Sequence, residues 1–140
     1  MVGKQALDKV SQAFPKRRRL RTRDEFQKVY AEGQCYDGRL MAAFLRQNDL
    51  TKHRLGVTAS TRAIGKSVDR NRAKRVLREL FRRSTPELGS LGRTYDWVLN
   101  AKRALISSSE ELRFHEFRRI IEQVAQAERK GVRGSSPTVR

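Results

Sequence analysis

The sequence predicts one small domain of the α/β class, an α+β two-layer sandwich in which a central sheet is covered by helices. Three observations predict it. A chain of 140 residues is the usual size of one domain, and an apolar content of 37% is enough for one core. Apolar patterns of helical and strand type follow one another in the order helix, strand, strand, helix, strand, helix. We expect the domain to occupy residues 16–129, between an N-terminal extension (1–15) and a basic tail (130–140).

The first half of the domain is predicted to hold a helix and two strands. The helix is expected over Asp24–Glu32, with acidic residues in its first turn and Gly33 after its end. The apolar edge of this helix consists of Phe26, Val29 and Tyr30. Arg39–Arg46 and Arg54–Ser60 have the composition of buried strands, and polar residues between them supply a turn.

The second half is predicted to hold a basic helix, a third strand and a long C-terminal helix. The basic helix lies within Ile64–Arg83, and a loop is expected over Ser84–Arg93 because it contains one proline and two glycines. Tyr95–Ala101 is predicted as a strand. The last helix is expected to begin after the serines at Ser107–Ser109 and to continue to about Glu128.

The basic helix is the most informative segment of the chain. Its apolar residues at helical spacing are Ala73, Val76, Leu77, Leu80 and Phe81. Ser67 and Asp69 are the candidate N-caps. Between Arg62 and Arg83 there are nine basic residues and two acidic ones, a local charge of +7. Like charges placed side by side cost stability in an isolated helix, so a solvated face that needed only solubility would alternate signs.

A polyanionic partner explains this charge better than a merely solvated face does. Arginine outnumbers lysine in the helix, and its planar guanidinium suits bidentate contacts with phosphate oxygens. The whole chain has a net charge of +17, whose self-repulsion a polyanion would screen. Nucleic acid is the first candidate and an anionic membrane surface the second.

Two further features fit a nucleic-acid partner. Six of the eight residues from Lys16 to Arg23 are basic, and we interpret this tract as a phosphate contact rather than a solubility tag. The rings of Phe26 and Tyr30 either pack on the core or stack on unpaired bases. Spacing alone leaves both alternatives open.

Other function classes lack their signatures. The longest apolar run, Leu40–Leu45, is too short to span a bilayer, and no apolar secretory segment is expected at the N-terminus. Cys35 is the only cysteine, which favours a packing role and a reducing cytoplasm. No P-loop or nucleophile motif is present, and His53 and His115 are expected to be structural or solvated. The residues therefore indicate a binding protein without a metal site of its own.

The basic helix also carries a resemblance to a known family. The residues Arg70-Asn71-Arg72, then Lys74-Arg75, Arg78-Glu79 and Phe81-Arg82, with Gly65-Lys66 upstream, resemble the arginine-asparagine-arginine signature of the bacterial ribonuclease P protein subunits. The resemblance implies a ribosomal-protein-like fold with a left-handed βαβ crossover. Two departures are Ser60-Thr61-Arg62, where the family often has a serine and two lysines, and Asp69, where an apolar or basic residue is common.

The resemblance implies an accessory role in a ribonucleoprotein endonuclease. Ribonuclease P removes the 5′ leader from precursor tRNA, and its RNA subunit performs the hydrolysis with bound Mg²⁺, so no catalytic residue is expected in the protein. The residues implied to face the catalytic RNA are Arg70, Asn71, Arg72, Lys74, Arg75 and Arg78. Those implied to border the leader are Phe26, Tyr30 and Lys66. Further phosphate contacts are expected from Arg17, Arg18, Arg19 and Arg62.

Two other functions remain as alternatives. A non-enzymatic RNA-binding protein of ribosomal type would use the same helix only to hold RNA. A DNA-binding helix-turn-helix is disfavoured because no helix precedes the basic one across a tight turn. The partners expected are the catalytic RNA and precursor tRNA, with no membrane and no required protein partner.

Overall fold

The computed structural model describes residues 18–131, which form one sheet and six helices. The strands are β1 (Gln34–Asp37), β2 (Met41–Gln47), β3 (Arg54–Thr58) and β4 (Tyr95–Ala101). The helices are α1 (Arg23–Glu32), α2 (Thr61–Ile64), α3 (Ser67–Arg83), α4 (Thr85–Gly89), α5 (Arg103–Ile106) and α6 (Glu110–Arg129). Among the residues described, no helix combines the length and the apolar character that crossing a membrane requires. The extension, the tail beyond Gly131 and Arg17 lie outside the described residues.

The four strands form a mixed sheet in the order β1-β2-β4-β3. β2 pairs antiparallel with both β1 and β4, so that Phe44 lies opposite Val98. β3 pairs parallel with β4, and the chain crosses from one to the other through α2 and α3. The predicted sandwich of one small sheet and covering helices is confirmed, and the basic helix is the crossover helix.

The main core lies on one face of the sheet, because alternate residues of each strand point to it. Trp97 in the central strand β4 is fully buried there. Its ring contacts Phe81 of α3 at 5.9 Å and Phe117 of α6 at 5.6 Å, measured between centroids. The apolar stripes of α3 and α6 therefore cover this face.

The first helix covers part of the opposite face. A second apolar cluster contains Leu20, Val29 and Val98, with Phe26 and Phe44 packed against it. Gly56 makes this packing possible, since a Cβ atom at that position would lie 2.5 Å from the Phe26 ring.

Several predicted boundaries are corrected. β1 was not predicted, because its four residues are too few to show an alternating apolar pattern. The segment Ser84–Arg93 is not entirely a loop, since α4 begins there with Pro86 in its first turn. The short helices α2 and α5 were also missed.

The predicted N-cap of α3 is wrong, whereas Gly33 ends α1 as predicted. Lys66 is the N-cap of α3, rather than Ser67 or Asp69, and its side chain makes no capping hydrogen bond. Gly33 does end α1, but its φ of −96° is one that any residue adopts. Glycine is needed there because a Cβ atom would lie 2.5 Å from the carbonyl oxygen of Leu45. The Ser109 hydroxyl caps α6 as expected and accepts a hydrogen bond from the Leu112 N–H.

Candidate nucleic-acid interface

Helix α3 has one apolar side and one basic side, as its periodicity predicts. Its fully or nearly buried residues are Ala73, Leu77, Leu80 and Phe81. The opposite side, here called the basic face, consists of Arg70, Asn71, Arg72, Lys74, Arg75 and Arg78. Asn71, Arg72 and Arg75 are exposed, while Arg70, Lys74 and Arg78 are half-buried. Burial of the apolar stripe against the sheet therefore fixes the direction in which this charge points.

Within residues 18–131, no carboxylate forms an ion pair with the cations of the basic face. The acidic residue in the middle of α3, Glu79, is paired with Arg82 one turn further along. At the end of the helix Arg83 is paired with Glu110 of α6. The acidic neighbours of α3 thus neutralise its last turn, and the charge of the basic face is left uncompensated.

The start of the basic face is held by a glycine turn. Gly65 has φ +97°, a backbone conformation that side chains with a Cβ rarely adopt. The Arg70 guanidinium donates a hydrogen bond of 2.6 Å to the Gly65 carbonyl oxygen. Arg70 was predicted to face the partner, but part of its hydrogen-bonding capacity is used inside the protein. Lys66 and Arg62, which flank this turn, are both exposed.

The described part of the basic tract, from Arg18 onward, lies at the edge of the sheet beside β3. Arg19 bridges to Leu55, and the Leu20 N–H donates a 2.9 Å hydrogen bond to the Leu55 carbonyl oxygen. The Arg18 guanidinium donates to the carbonyl oxygen of His53 at 3.2 Å. These contacts hold residues 18–20 next to β3, the strand that precedes α2 and α3.

The tract and the basic face meet at Arg19 and Arg78. Burial lowers the pKa of Arg78, and the nearby positive charge of Arg19 lowers it further. The Nε of Arg19 is buried and has no hydrogen-bond partner. An unpartnered guanidinium nitrogen near a second positive charge favours the binding of an anion.

The predicted aromatic pair on α1 differs in burial. Phe26 is half-buried on Gly56 and belongs to the second apolar cluster. Tyr30 is 40% exposed and meets the Phe44 ring edge-on, with 4.9 Å between centroids. Its hydroxyl donates a 2.9 Å hydrogen bond to Asn100 Oδ1. Phe26 therefore packs, while Tyr30 lies partly exposed where α1 meets the sheet.

Sequence reasoning missed the sheet residues around Tyr30, which together with its ring form the surface here called the α1 surface. Thr58 of β3 donates to the same Asn100 oxygen at 2.7 Å, and Phe44 of β2 is half-buried beside Tyr30. The signal was present, since in β4 the polar residues Asp96 and Asn100 alternate with buried aromatic and aliphatic ones. That alternation assigns them to the face opposite the main core.

His53 is structural, as predicted. It is 7% exposed, and its Nδ1 accepts hydrogen bonds of 3.1 Å from the Tyr95 N–H and from the Trp97 indole. Nε2 lies 3.3 Å from the Leu88 carbonyl oxygen, so the ring is neutral with its proton on Nε2. Burial lowers the pKa of His53, and the positive charge of Arg18 acts in the same direction. This geometry holds the loop around α4 against β4.

Two acidic residues, Glu116 and Glu25, are used in the scaffold. The Glu116 carboxylate accepts backbone hydrogen bonds from Arg39, Leu40 and Met41 at 2.9, 2.9 and 3.0 Å, which fixes the β1–β2 turn. Glu25 forms a capping box with Thr22 at the start of α1. Over the described part of the chain no group of three or more His, Cys, Asp or Glu residues is arranged to hold a metal ion.

Comparison with known proteins shows the family of this chain. The family model for ribonuclease P matches residues 14–126. The ribonuclease P protein component of Coxiella burnetii is 34% identical over 118 residues, which cover 84% of this chain and 92% of that protein. The solved ribonuclease P protein of Thermotoga maritima superposes with a TM-score of 0.65 at 24% identity, covering 75% of this chain and 96% of that one. A Staphylococcus aureus ribonuclease P protein has the same fold, with a TM-score of 0.64 at 20% identity over 76% of this chain and 94% of that one. With a family model that spans most of its length, this chain belongs to the ribonuclease P protein family.

Proposed function

We propose that this chain is the RNA-binding accessory subunit of ribonuclease P, the ribonucleoprotein that removes the 5′ leader from precursor tRNA. The observation that carries the proposal is the basic face of α3, whose cations have no carboxylate partner within residues 18–131. A folded RNA supplies a high density of phosphates, and each neutralised phosphate releases counterions. The basic face is the part of the protein that binds the catalytic RNA.

The chemical step is assigned to the RNA subunit, which holds the Mg²⁺ ions. The protein's own carboxylates support this division of labour, because Glu25, Asp96 and Glu116 are each engaged by backbone N–H groups or by an arginine. The chain therefore binds and positions RNA, and no reaction step is assigned to its side chains. This role in tRNA maturation places the chain in the cytoplasm.

The 5′ leader of the substrate is assigned to the α1 surface. The exposed ring of Tyr30 offers a surface for base stacking, which contributes about 1–3 kcal/mol per base. The Tyr30 hydroxyl and Asn100 form a polar edge beside it. A stacking surface next to a polar edge suits a single strand and tolerates different sequences. Lys66, exposed at the start of α3, is assigned to the leader phosphates.

Cleavage of precursor tRNA at low Mg²⁺ tests the proposal. A bacterial ribonuclease P RNA is assayed with and without the full-length protein, and the protein is expected to stimulate the release of the leader. The matched control is the Arg72→Ala, Arg75→Ala double variant, which removes two exposed cations of the basic face and leaves the core intact. RNA binding without any stimulation would instead support the ribosomal-type alternative.

A further inference from the structure

A groove of about 410 Å³ lies between α3 and the first turns of α6. Its apolar lining comes from Val76 and Leu80 of α3 and from Phe114 of α6. The volume is within the range of small-molecule sites in proteins. The groove begins at the basic face, because Arg72 and Arg75 also line it.

Two of the arginines that line the groove have partners within the protein. The Arg113 guanidinium donates to the Ser108 hydroxyl and to the carbonyl oxygens of Leu105 and Ser108. Arg83 is paired with Glu110 and lies over the Phe114 ring, 5.1 Å from its centroid. On this side of the groove a guanidinium group therefore lies over the face of an aromatic ring.

The other two arginines that line the groove are available to a ligand. Arg72 and Arg75 are exposed, and neither is ion-paired with a carboxylate in the described range of the chain. The carboxylates in the lining, Glu79 and Glu110, are each paired with an arginine of α3. The groove thus combines an apolar, aromatic interior with positive charge on the side of the basic face.

We propose that the α3–α6 groove binds one unpaired nucleotide of the RNA partner, with its base among Val76, Leu80 and Phe114 and its phosphate on Arg72 and Arg75. A flat base with an attached phosphate has both properties that the groove presents, whereas a paired base would be shielded by its neighbours in the helix. The inference rests on the proposed function, because it takes RNA as the partner. It adds a specific site on α6, outside the arginine-asparagine-arginine segment.

The test is an NMR titration of the isotope-labelled full-length chain with adenosine 5′-monophosphate. The nucleotide is expected to move the methyl signals of Val76 and Leu80, while inorganic phosphate at the same concentration moves only side-chain signals of Arg72 and Arg75. Phe114→Leu, which keeps an apolar side chain of similar size, is expected to weaken nucleotide binding about tenfold. Leu112→Ala is the matched control, since Leu112 is an exposed apolar residue of the same helix outside the groove.

A second variant keeps the test decisive if Phe114→Leu disturbs the fold. Arg72→Gln with Arg75→Gln changes only exposed side chains, and it is expected to abolish the preference for the nucleotide over adenosine. The inference is wrong if the nucleotide leaves the Val76 and Leu80 methyls unmoved, or if phosphate alone moves them equally. If the protein stimulates cleavage of precursor tRNA but the nucleotide does not move the Val76 and Leu80 methyl signals, only this inference is contradicted. Nucleotide binding without stimulated cleavage contradicts the proposed function instead.

Discussion

The arginines of this protein fall into two groups that differ in what lies opposite their guanidinium groups. Arg54 on β3 forms two hydrogen bonds of 2.8 Å with the carboxylate of Asp96, which is 3% exposed, and a third of 3.4 Å with Glu25. On the basic face of α3, Arg72 and Arg75 have no such partner within the described residues. One group is therefore part of the scaffold, and the other is available to a ligand.

The comparison teaches that the number of charges does not identify an interface. An arginine opposite a buried carboxylate has already exchanged its hydration for a protein partner and adds little to the external field. An arginine with no acceptor keeps its charge, and repulsion from its neighbours favours binding of a polyanion. The same contrast between inward and outward residues holds for the two aromatic residues of α1 and for the two histidines.

Removing Arg54 is expected to have the largest effect on stability. Arg54→Ala leaves the Asp96 carboxylate buried with Asn48 as its remaining side-chain partner. Loss of one partner of a buried pair typically costs about 3–5 kcal/mol, and we expect about 2–3 kcal/mol because Arg54 retains 24% exposure. Urea denaturation measures the free energy of unfolding. Arg72→Ala is the control and should change the free energy of unfolding by no more than about 0.5 kcal/mol. Equal decreases in the free energy of unfolding of the two variants would show that the two groups of arginines do not differ in this way.

Removing the ring of Tyr30, the exposed aromatic residue of α1, is expected to affect RNA binding. Tyr30→Ala should weaken binding of precursor tRNA about tenfold and leave binding of mature tRNA nearly unchanged, since only the precursor has a leader to stack. Filter binding with both RNAs, in the presence of the catalytic RNA, measures the ratio. Tyr30→Phe, which keeps the ring and removes the hydrogen bond to Asn100, should retain most of the affinity. Losses of the same size for both RNAs would assign the ring to packing.

The two histidines are expected to differ in their effect on pH dependence. The pKa of His53 is lowered in the folded protein by burial, so the unfolded chain binds its proton at higher pH. The free energy of unfolding should then decrease as pH falls below about 6.5, by at most about 1.4 kcal/mol per pH unit. Urea denaturation at pH values of about 7.5 and 5.5 gives the difference. His53→Gln should reduce this dependence, whereas His115→Ala, which changes an exposed residue, should keep it. An unchanged slope in His53→Gln would show that other groups cause it.

The smallest expected effect concerns a single outward arginine. Arg72→Ala should lower the slope of log affinity against log salt by about 0.7–0.9, the value for one phosphate contact. Binding of the catalytic RNA over a series of salt concentrations measures the slope. Arg54→Ala, compared under conditions where it is folded, should keep the slope of the unchanged protein. If Arg72→Ala leaves both slope and affinity unaltered, the basic face is not the RNA-binding surface.

Much of the fold was predictable because the signals are local. The apolar stripe of α3 and the buried strands β2, β3 and β4 follow from periodicity within a few residues. Caps and short elements were less predictable. Lys66 became the N-cap of α3 because the Gly65 turn sets the entry of the chain, and α4 arises inside a segment whose proline and glycines indicate a loop.

The candidate site was predicted in part, for the same reason. The basic face follows from helical spacing, and the exposure of Asn71, Arg72 and Arg75 agrees with it. The partners of Tyr30 could not be predicted, because Asn100 lies 70 positions further along the chain. The α3–α6 groove likewise depends on how two helices that are distant in sequence pack on one face of the sheet.

The sequence by itself determined that one helix has an apolar side and an arginine-rich side, since that property depends only on residues within a few turns of one another. The tertiary structure decided which charges are left without partners. Asp96 meets Arg54 across 42 positions, and Glu116 reaches the β1–β2 turn across 75 to 77 positions. Such contacts are set by strand order and helix packing, so the same count of arginines and carboxylates in another topology would leave a different surface charged.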